Sequence, residues 1–266
     1  MTSLPSNGSS LACRPVVGLV PAAGEGSRIG RLPCSKELLP VGVVQPRPGR
    51  PRVACEFLLR ELRDAGAERA YVILREGKWD IPTYLQDGHE MGLPLAYLLM
   101  RLPYGVPYTL DQATPFVQDA TVLLGFPDII FTADRPVYPR LLDELGATGA
   151  DVVLGLFSTE RPEKGDMVDL APDGRVRSLV IKSATTGLRT GWAAAAWTPA
   201  FTAFLHDEVR RGGEGPPDGG ELHLGHVLCR AIDAGRDVRG VSFPNGRYVD
   251  IGTPDELVAY ASGTAP

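Results

Sequence analysis

The chain has 266 residues, of which 44% are hydrophobic and 22% are charged. This composition supplies the core of one large α/β domain, or at most two small ones, without metal or disulfide staples. The net charge of −5 argues against a broad nucleic-acid surface, and no run reaches the roughly 18 apolar residues of a membrane helix. We therefore expect neither a nucleic-acid partner nor a membrane partner.

The N-terminal segment and the cysteines indicate a cytoplasmic protein. Residues 1–14 are rich in Ser and have no apolar run long enough for a signal peptide, so we interpret them as a disordered tail. Residues 15–262 are expected to form one domain. No two cysteines form a C-x-x-C pair, which is typical of reduced thiols. The cysteines are Cys13, Cys34, Cys55 and Cys229.

The first half of the chain alternates short apolar strands with helices. Alternation of this kind predicts a mostly parallel sheet covered by helices on both faces. Strands are predicted over 15–20, 70–74, 95–100, 120–124 and 151–156, and helices over 53–65, 110–117 and 137–145.

The second half of the chain shows a different order of predicted strands and helices. A turn signal, Ala-Pro-Asp-Gly, separates two short apolar stretches and predicts an antiparallel hairpin over 167–170 and 176–182. Thr253 and Pro254 are typical of the start of a last helix. Further strands are predicted over 192–198, 238–243 and 247–251, and helices over 201–209 and 222–234.

A glycine-rich loop follows the first strand. Its small residues allow backbone N–H groups to approach phosphate oxygens, and the cations Arg28 and Lys36 suit a triphosphate. A plain structural turn is the alternative. A dinucleotide site is a second competitor, because Gly24, Gly26 and Gly30 are suitably spaced, but the prolines at 33 and 40 would break the helix that such a site requires.

The loop also carries a family resemblance. The segments P-A-A-G-E-G-S-R and S-K-E-L-L-P-V resemble the opening signature of the sugar-phosphate nucleotidyltransferases, and a thinner similarity extends to about residue 260. The resemblance implies the Rossmann-like three-layer α/β/α nucleotide-diphospho-sugar transferase fold, with the antiparallel hairpin as an insertion in the C-terminal half. It also implies synthesis of a nucleotide sugar and pyrophosphate from a nucleoside triphosphate and a sugar 1-phosphate, with dTTP or UTP and glucose 1-phosphate as the usual family substrates. The loop residues that it implies as nucleotide ligands are Ala23, Gly24, Gly26, Ser27, Arg28 and Lys36, of which Arg28 and Lys36 would be catalytic.

Two aspartates are candidate metal ligands. Asp128 follows the apolar strand at 120–124, where the carboxyl end of a parallel strand gathers ligands. Asp250 lies in R-Y-V-D-I-G-T-P, which resembles the family's W-x-D-x-G-T-P segment. The resemblance implies that both bind Mg²⁺, whose remaining ligands are phosphates and waters. The structural alternatives are a turn-capping Asp128 and an Asp250 that accepts hydrogen bonds from a helix start.

The remaining resemblances concern the substrate side. The segment at 108–113 is similar to G-L-x-[QH]-A and implies that Thr109 and Gln112 contact the nucleotide. The segment Val180-Ile181-Lys182 resembles E-E-K-P at the end of a strand, although Ile181 stands in place of a Glu. Residues 190–192 are similar to T-G-[LI]-Y, and residues 219–222 are similar to G-E-[LI]. The sugar-phosphate ligands that these resemblances imply are Lys182, Gly191 and Glu221. No role is implied for the histidines, and His223 and His226 lack the H-E-x-x-H zinc pattern.

Three alternatives stay open. The first is a catalytically silent nucleotide- or sugar-binding module, favoured by Pro127, by Ile181 and by a short spacing between Arg28 and Lys36. The second is a related glycosyltransferase, which would usually show D-x-D, and the third is a nicotinamide dehydrogenase. The nucleobase, the acceptor and the formation of a homo-oligomer are not determined by the sequence. The enzyme hypothesis requires positions 28, 36, 128, 182 and 250 to converge in one cleft.

Overall fold

The computed structural model describes residues 14–26, 28–30, 32–43, 51–101, 104–212 and 221–262. Of the predicted tail at 1–14, residues 1–13, which include Cys13, lie outside them. The strands are β1 (Val16–Pro21), β2 (Pro40–Val43), β3 (Pro51–Val53), β4 (Arg69–Arg75), β5 (Leu95–Met100), β6 (Thr121–Gly125), β7 (Ile129–Thr132), β8 (Val152–Ser158), β9 (Asp166–Leu170), β10 (Val176–Ile181), β11 (Thr190–Trp197), β12 (Val238–Phe243) and β13 (Arg247–Asp250). The helices are α1 (Ala54–Asp64), α2 (Asp80–Leu85), α3 (Val106–Asp111), α4 (Thr114–Val117), α5 (Val137–Thr148), α6 (Pro199–Arg211), α7 (Leu224–Asp233) and α8 (Pro254–Ala261).

The central sheet has nine strands within the described part of the chain. Strands β5, β4, β1 and β6 run parallel in that spatial order, and β11 pairs antiparallel with β6. Beyond β11 lie β8, with β12 parallel to it, and the antiparallel hairpin of β9 and β10. The predicted three-layer α/β/α class, its parallel strands and its C-terminal hairpin are therefore confirmed.

Helices cover both faces of the sheet because its buried strands are apolar on both sides. Along β1, Val17 and Leu19 join one hydrophobic cluster, whereas Val20 joins the other. Helices α3, α6 and α7 pack on the first face, and α1, α2 and α5 pack on the second. No described helix has the length and apolar character needed to cross a bilayer.

Several elements differ from the sequence prediction. The single helix predicted over 110–117 is wrong, because α3 ends at Asp111 and a separate short helix, α4, begins at Thr114 with Pro115 in its first turn. Proline lacks an N–H and fits only the beginning of a helix, so it marks a new start here. The sequence analysis also missed β2, β3, α2 and β7.

The strand directions bring several loops to one edge of the sheet. The parallel strands β1, β4 and β6 end at the same edge, which places the glycine-rich loop beside Asp128. Because β11 runs antiparallel, its first residue, Thr190, lies opposite Ser158 at the end of β8. The start of β9 and the end of β10 meet there too, since Asp166 pairs with Ile181. This edge is where ligands of α/β sheets usually bind.

Two contacts, one partly buried and one buried, anchor the loop that carries Lys36. Both carboxylate oxygens of Asp80 accept hydrogen bonds from Ser35, at 2.6 Å from the backbone N and 2.7 Å from Oγ. The Glu37 carboxylate, 1% exposed, pairs with Lys78 Nζ at 2.6 Å. Burial raises the pKa of Glu37 and lowers that of Lys78, and in each case the partner's charge opposes the shift. The cost of removing two charges from water is therefore the largest electrostatic effect on both members of this ion pair.

We predict that Lys78→Met destabilises the protein by about 3–5 kcal/mol, because it leaves the Glu37 carboxylate buried without a countercharge. The double variant Glu37→Gln/Lys78→Met should recover most of this loss. Urea unfolding of the wild type, both single variants and the double variant measures the coupling. A Lys78→Met midpoint equal to that of the wild type would show that the ion pair does not hold the loop.

Candidate active site

A cleft of about 1510 Å³ opens at this edge of the sheet. It is lined by residues from the glycine-rich loop, from the end of β6, from the hairpin and from the segment that follows β13. The predicted site residues that line it are Ala23, Gly24, Gly26, Arg28, Lys36, Thr109, Asp128, Lys182, Glu221 and Asp250. The five positions whose convergence the enzyme hypothesis requires are therefore in one cleft.

Two predicted residues that the structure describes, Gln112 and Gly191, are not part of this lining. Ser27 lies outside the described residues. Gln112 is exposed, and its Nε2 donates to the Tyr108 backbone oxygen at 3.3 Å rather than facing the cleft. Gly191 is buried under Met167, whose methyl carbon would lie 2.8 Å from a Cβ at position 191. Gln112 therefore has no role in the site proposed below, whereas Gly191 allows Met167 to pack close beneath the cleft.

The two aspartates are brought together by a small antiparallel sheet. Strand β13 pairs with β7 so that Asp250 lies opposite Ile129, the residue after Asp128. The backbone N–H of Ile251 also donates to the Asp128 carbonyl oxygen at 3.0 Å. A Cβ added to Gly252 would lie 2.7 Å from Asp250 Oδ1 and 3.0 Å from Asp128 Oδ2. The glycine therefore keeps open the space that both carboxylates face.

Two cations compensate this pair of carboxylates. Lys36 Nζ donates to Asp128 Oδ2, and Arg28 Nη2 lies 3.4 Å from Asp250 Oδ2. Gly252 N donates to Asp250 Oδ1 at 2.8 Å. Lys36 and Asp128 are the better buried pair, with 13% and 11% of their side-chain areas exposed, whereas the Arg28 side chain is 57% exposed. Arg28 is thus the cation more free to turn toward a ligand.

The pKa directions reflect this balance of charges. Burial, followed by the charge of Asp128, raises the pKa of Asp250, whereas the Gly252 N–H, Arg28 and Lys36 act to lower it. Burial acts to lower the pKa of Lys36, but Asp128, Glu37 and Asp250 outweigh it and the pKa is raised. Lys36 therefore stays protonated, and Asp250 carries a charge that its surroundings compensate only in part. A further cation at this point would relieve that repulsion.

The donor set fits a hard divalent cation. Asp128 and Asp250 offer carboxylate oxygens, which Mg²⁺ prefers, and they face a common open space. Among the described residues, no third His, Cys, Asp or Glu completes a metal-binding group with them. Ligands from bound phosphate and water would have to complete the shell, as is usual for Mg²⁺ at phosphate-binding sites.

The cleft lining also includes Asp166, His223 and Phe126, which were not predicted as site residues, and Trp192, which lies in the segment similar to T-G-[LI]-Y. Asp166 begins β9, Trp192 lies in β11, and His223 immediately precedes α7, where its Nδ1 lies 3.3 Å from Lys182 Nζ. Phe126 packs against Trp192 with ring centroids 5.7 Å apart. The signal in the sequence was the position of Asp166 just before the predicted hairpin and of His223 two residues after Glu221.

Comparison with known proteins agrees with this geometry. No protein-family model matches the chain. The low-salt glycan biosynthesis nucleotidyltransferase Agl11 of Haloferax volcanii is 25% identical over 249 residues, which are 91% of this chain and 64% of that protein. The glucose-1-phosphate thymidylyltransferase of Streptomyces griseus is 24% identical over 244 residues, which are 90% and 63% of the two chains. The chain thus spans slightly less than two thirds of the length of these relatives.

Solved structures extend the likeness to the fold. A putative glucose-1-phosphate thymidylyltransferase from Bacillus anthracis superimposes with a TM-score of 0.77 and 18% identity, covering 94% of this chain and 95% of that one. The inositol-1-phosphate CTP transferase of T. maritima gives a TM-score of 0.68 and 20% identity, with 93% and 95% coverage. The chain has the fold of these nucleotidyltransferases, and the resemblance to sugar-phosphate nucleotidyltransferases that its motifs indicate is confirmed.

Proposed function

We propose that this chain transfers a nucleotidyl group from a nucleoside triphosphate to a sugar 1-phosphate and releases pyrophosphate. The observation that carries the proposal is the convergence of Arg28, Lys36, Asp128, Lys182 and Asp250 in one cleft. These residues are far apart in sequence, and a purely structural role for each would not bring their charges together. The names of the relatives support the same class of reaction.

The reaction needs no covalent nucleophile on the protein. An oxygen of the acceptor phosphate attacks the α-phosphorus, the bond from that phosphorus to the bridging oxygen breaks, and pyrophosphate leaves with the electron pair. The protein's contribution is positioning and charge neutralisation, which dominate phosphoryl-type transfers. Backbone N–H groups around Gly24 and Gly26 would hold the phosphates, and Arg28 and Lys36 would neutralise charge that grows on the leaving group.

Asp128 and Asp250 would hold the Mg²⁺ ion, which when bound would neutralise triphosphate charge. Lys36 and Arg28 pair with these carboxylates in the structure, so the binding of Mg²⁺ to Asp128 and Asp250 would leave both cations available to phosphate oxygens. This exchange of partners is our explanation for the pairing of each cation with a predicted metal ligand.

The acceptor would lie at the other end of the cleft. Lys182 has a positive φ of 43°, which is uncommon for a residue with a side chain, and it lies beside Glu221 and His223 in the cleft lining. Glucose 1-phosphate with dTTP or UTP is the combination that the family resemblance favours.

The cytoplasmic location, the single domain over 15–262 and a homo-oligomer stay predictions.

The metal site is tested by Asp250→Asn. Since the surroundings of Asp250 favour its neutral form, the metal-free variant should melt at the wild-type temperature or above it. Mg²⁺ and a triphosphate together, at a hundredfold excess over Kd, should stabilise the wild type by about 2.7 kcal/mol and so raise its melting temperature. In Asp250→Asn this rise should largely disappear. Asp119→Asn, at an exposed site, is the control. A full Mg²⁺-dependent rise in Asp250→Asn would remove Asp250 from the metal site.

The reaction itself is tested by pyrophosphate release from five nucleoside triphosphates, each combined with glucose 1-phosphate, inositol 1-phosphate and phosphocholine. With the best pair, Arg28→Ala should lower kcat by on the order of 10²-fold, because a cation that neutralises transition-state charge is removed. Asp250→Ala should abolish turnover. Arg177→Ala, an exposed arginine on the hairpin, should behave as the wild type. Wild-type rates in Arg28→Ala and Asp250→Ala would defeat the proposed mechanism, and a wild type inactive with every pair would favour the silent binding module.

A further inference from the structure

A group of charged residues joins two elements of the cleft and has no part in the mechanism proposed above. Glu256 lies in the first turn of α8, and its Oε1 accepts hydrogen bonds from Arg161 Nη1 and Lys164 Nζ, each at 2.6 Å. All three residues line the cleft. The two cations belong to the β8–β9 loop, residues 159–165, and precede Glu256 by 95 and 92 residues. We call Arg161, Lys164 and Glu256 the charge clamp.

The two cations reach one carboxylate because the loop turns tightly between them. The Lys164 N–H donates to the Arg161 carbonyl oxygen at 3.1 Å, and Pro162–Lys164 form a 3₁₀ turn. In such a turn the side chains at positions i and i+3 lie on the same side. Pro162 is buried, and its ring fixes the backbone at the beginning of the turn. The turn therefore presents Arg161 and Lys164 together toward α8.

The charge clamp is better shielded from water than an ordinary surface ion pair. The Glu256 side chain is 15% exposed, against 28% for Lys164 and 53% for Arg161. Fully exposed pairs contribute little to stability, because water and salt screen their charges. A poorly exposed carboxylate that accepts from two cations is screened less. We expect Lys164, the less exposed cation, to contribute more to the clamp than Arg161.

The attachment of α8 depends on this clamp because the packing of the helix is thin. No residue of α8 is fully buried, and Val258 is 67% exposed. Leu257 and Tyr260 are only partly buried against the hydrophobic cluster beneath them. The helix begins two residues after Gly252, whose N–H donates to Asp250 Oδ1. A displacement of α8 would therefore disturb the backbone that supports Asp250.

The other end of the charge clamp supports Lys182. The carbonyl oxygen of Gly165, the residue after Lys164, accepts a hydrogen bond from the Lys182 N–H at 3.1 Å. Lys182 has a φ of 43°, a conformation that persists only where the surrounding structure holds it. Gly165 also leads directly into β9, whose first residue, Asp166, pairs with Ile181. The clamp thus connects the support of Asp250 with the support of Lys182.

We propose that Glu256 is a positioning residue, which acts through Arg161 and Lys164 to hold the β8–β9 loop against α8. The loop in turn keeps Lys182 at a fixed distance from the aspartates proposed to bind Mg²⁺. This inference rests on the proposed function. The two phosphates have to meet in line for the transfer, so the clamp acts on the rate of transfer rather than on the binding of the triphosphate.

The first test is Glu256→Gln, which keeps the size of the side chain and removes its charge. With saturating acceptor, pyrophosphate release should give a kcat that is lower by on the order of tenfold, with the KM for the triphosphate within about twofold of the wild type. Glu208→Gln is the matched control, because Glu208 also pairs with two cations, Arg211 and Arg230, but joins α6 to α7 outside the cleft lining. Its kcat should equal that of the wild type.

The second test removes or keeps the charge at Lys164. Lys164→Met should lower kcat as much as Glu256→Gln does, whereas Lys164→Arg keeps the cation and should stay within about threefold of the wild type. The double variant Lys164→Met/Glu256→Gln should be no more than about twofold slower than either single variant, because residues that act as one unit are not additive. Additive losses, or a wild-type kcat in Glu256→Gln, would overturn the inference.

Hydrogen exchange separates failure of this inference from failure of the proposed function. The Lys182 amide should exchange about tenfold faster in Glu256→Gln than in the wild type, and at the wild-type rate in Glu208→Gln. The measurement needs no turnover, so it decides the inference even if no substrate pair reacts. An unchanged exchange rate at Lys182 in Glu256→Gln overturns the inference, whereas a wild type that is inactive with every substrate pair counts against the proposed function.

Discussion

The organisation of the cleft depends on the repulsion between the carboxylates of Asp128 and Asp250. Two negative charges that face one small, partly buried space are unfavourable unless cations are placed against them. Lys36 and Arg28 supply those cations, and both come from the loop after β1. The loop, the end of β6 and the end of β13 are therefore held together by charge as well as by the sheet.

This dependence explains why the loop is anchored so firmly behind Lys36. Ser35 is fixed by Asp80, and Glu37 is fixed by Lys78, so the backbone of the residue between them is held and its side chain stays within reach of Asp128. Arg28 lies earlier in the loop and is more exposed. The two cations thus differ in a way that suits different tasks: Lys36 extends from an anchored backbone, whereas the more exposed Arg28 can move further between Asp250 and a ligand.

Much of the fold could be predicted from the sequence because its strands are apolar on both faces and its helices have clear ends. The approach of Asp250 to Asp128 could not be derived in the same way. It depends on β7, a strand of four residues that has too little periodicity to be recognised, and on the register that places Asp250 opposite Ile129. The family resemblance anticipated this approach where local patterns gave no information.

The wrong predictions have equally local causes. The helix predicted over 110–117 is divided because Pro115 begins a new helix, and this division leaves Gln112 after the end of α3, where its side chain is exposed. Asp166 and His223 were not predicted as cleft residues, because an Asp at the start of a strand and a His before a helix carry no local signal of a binding site. Only the pairing of β9 with β10 and the position of α7 show that they face the same space.

The residues proposed for the triphosphate and those proposed for the acceptor differ in how far they follow the family pattern, and this difference has a physical basis. A triphosphate and its metal ion present the same charges whatever the acceptor, so cations, carboxylates and a glycine loop suffice to bind them. An acceptor is distinguished by its hydroxyl or ammonium groups, and their recognition requires side chains matched one by one. The replacement of a motif Glu by Ile181, beside a carboxylate at Asp166, is the kind of change that such recognition tolerates. The family resemblance therefore predicts the chemistry of the reaction more securely than the identity of the molecule that receives the nucleotide.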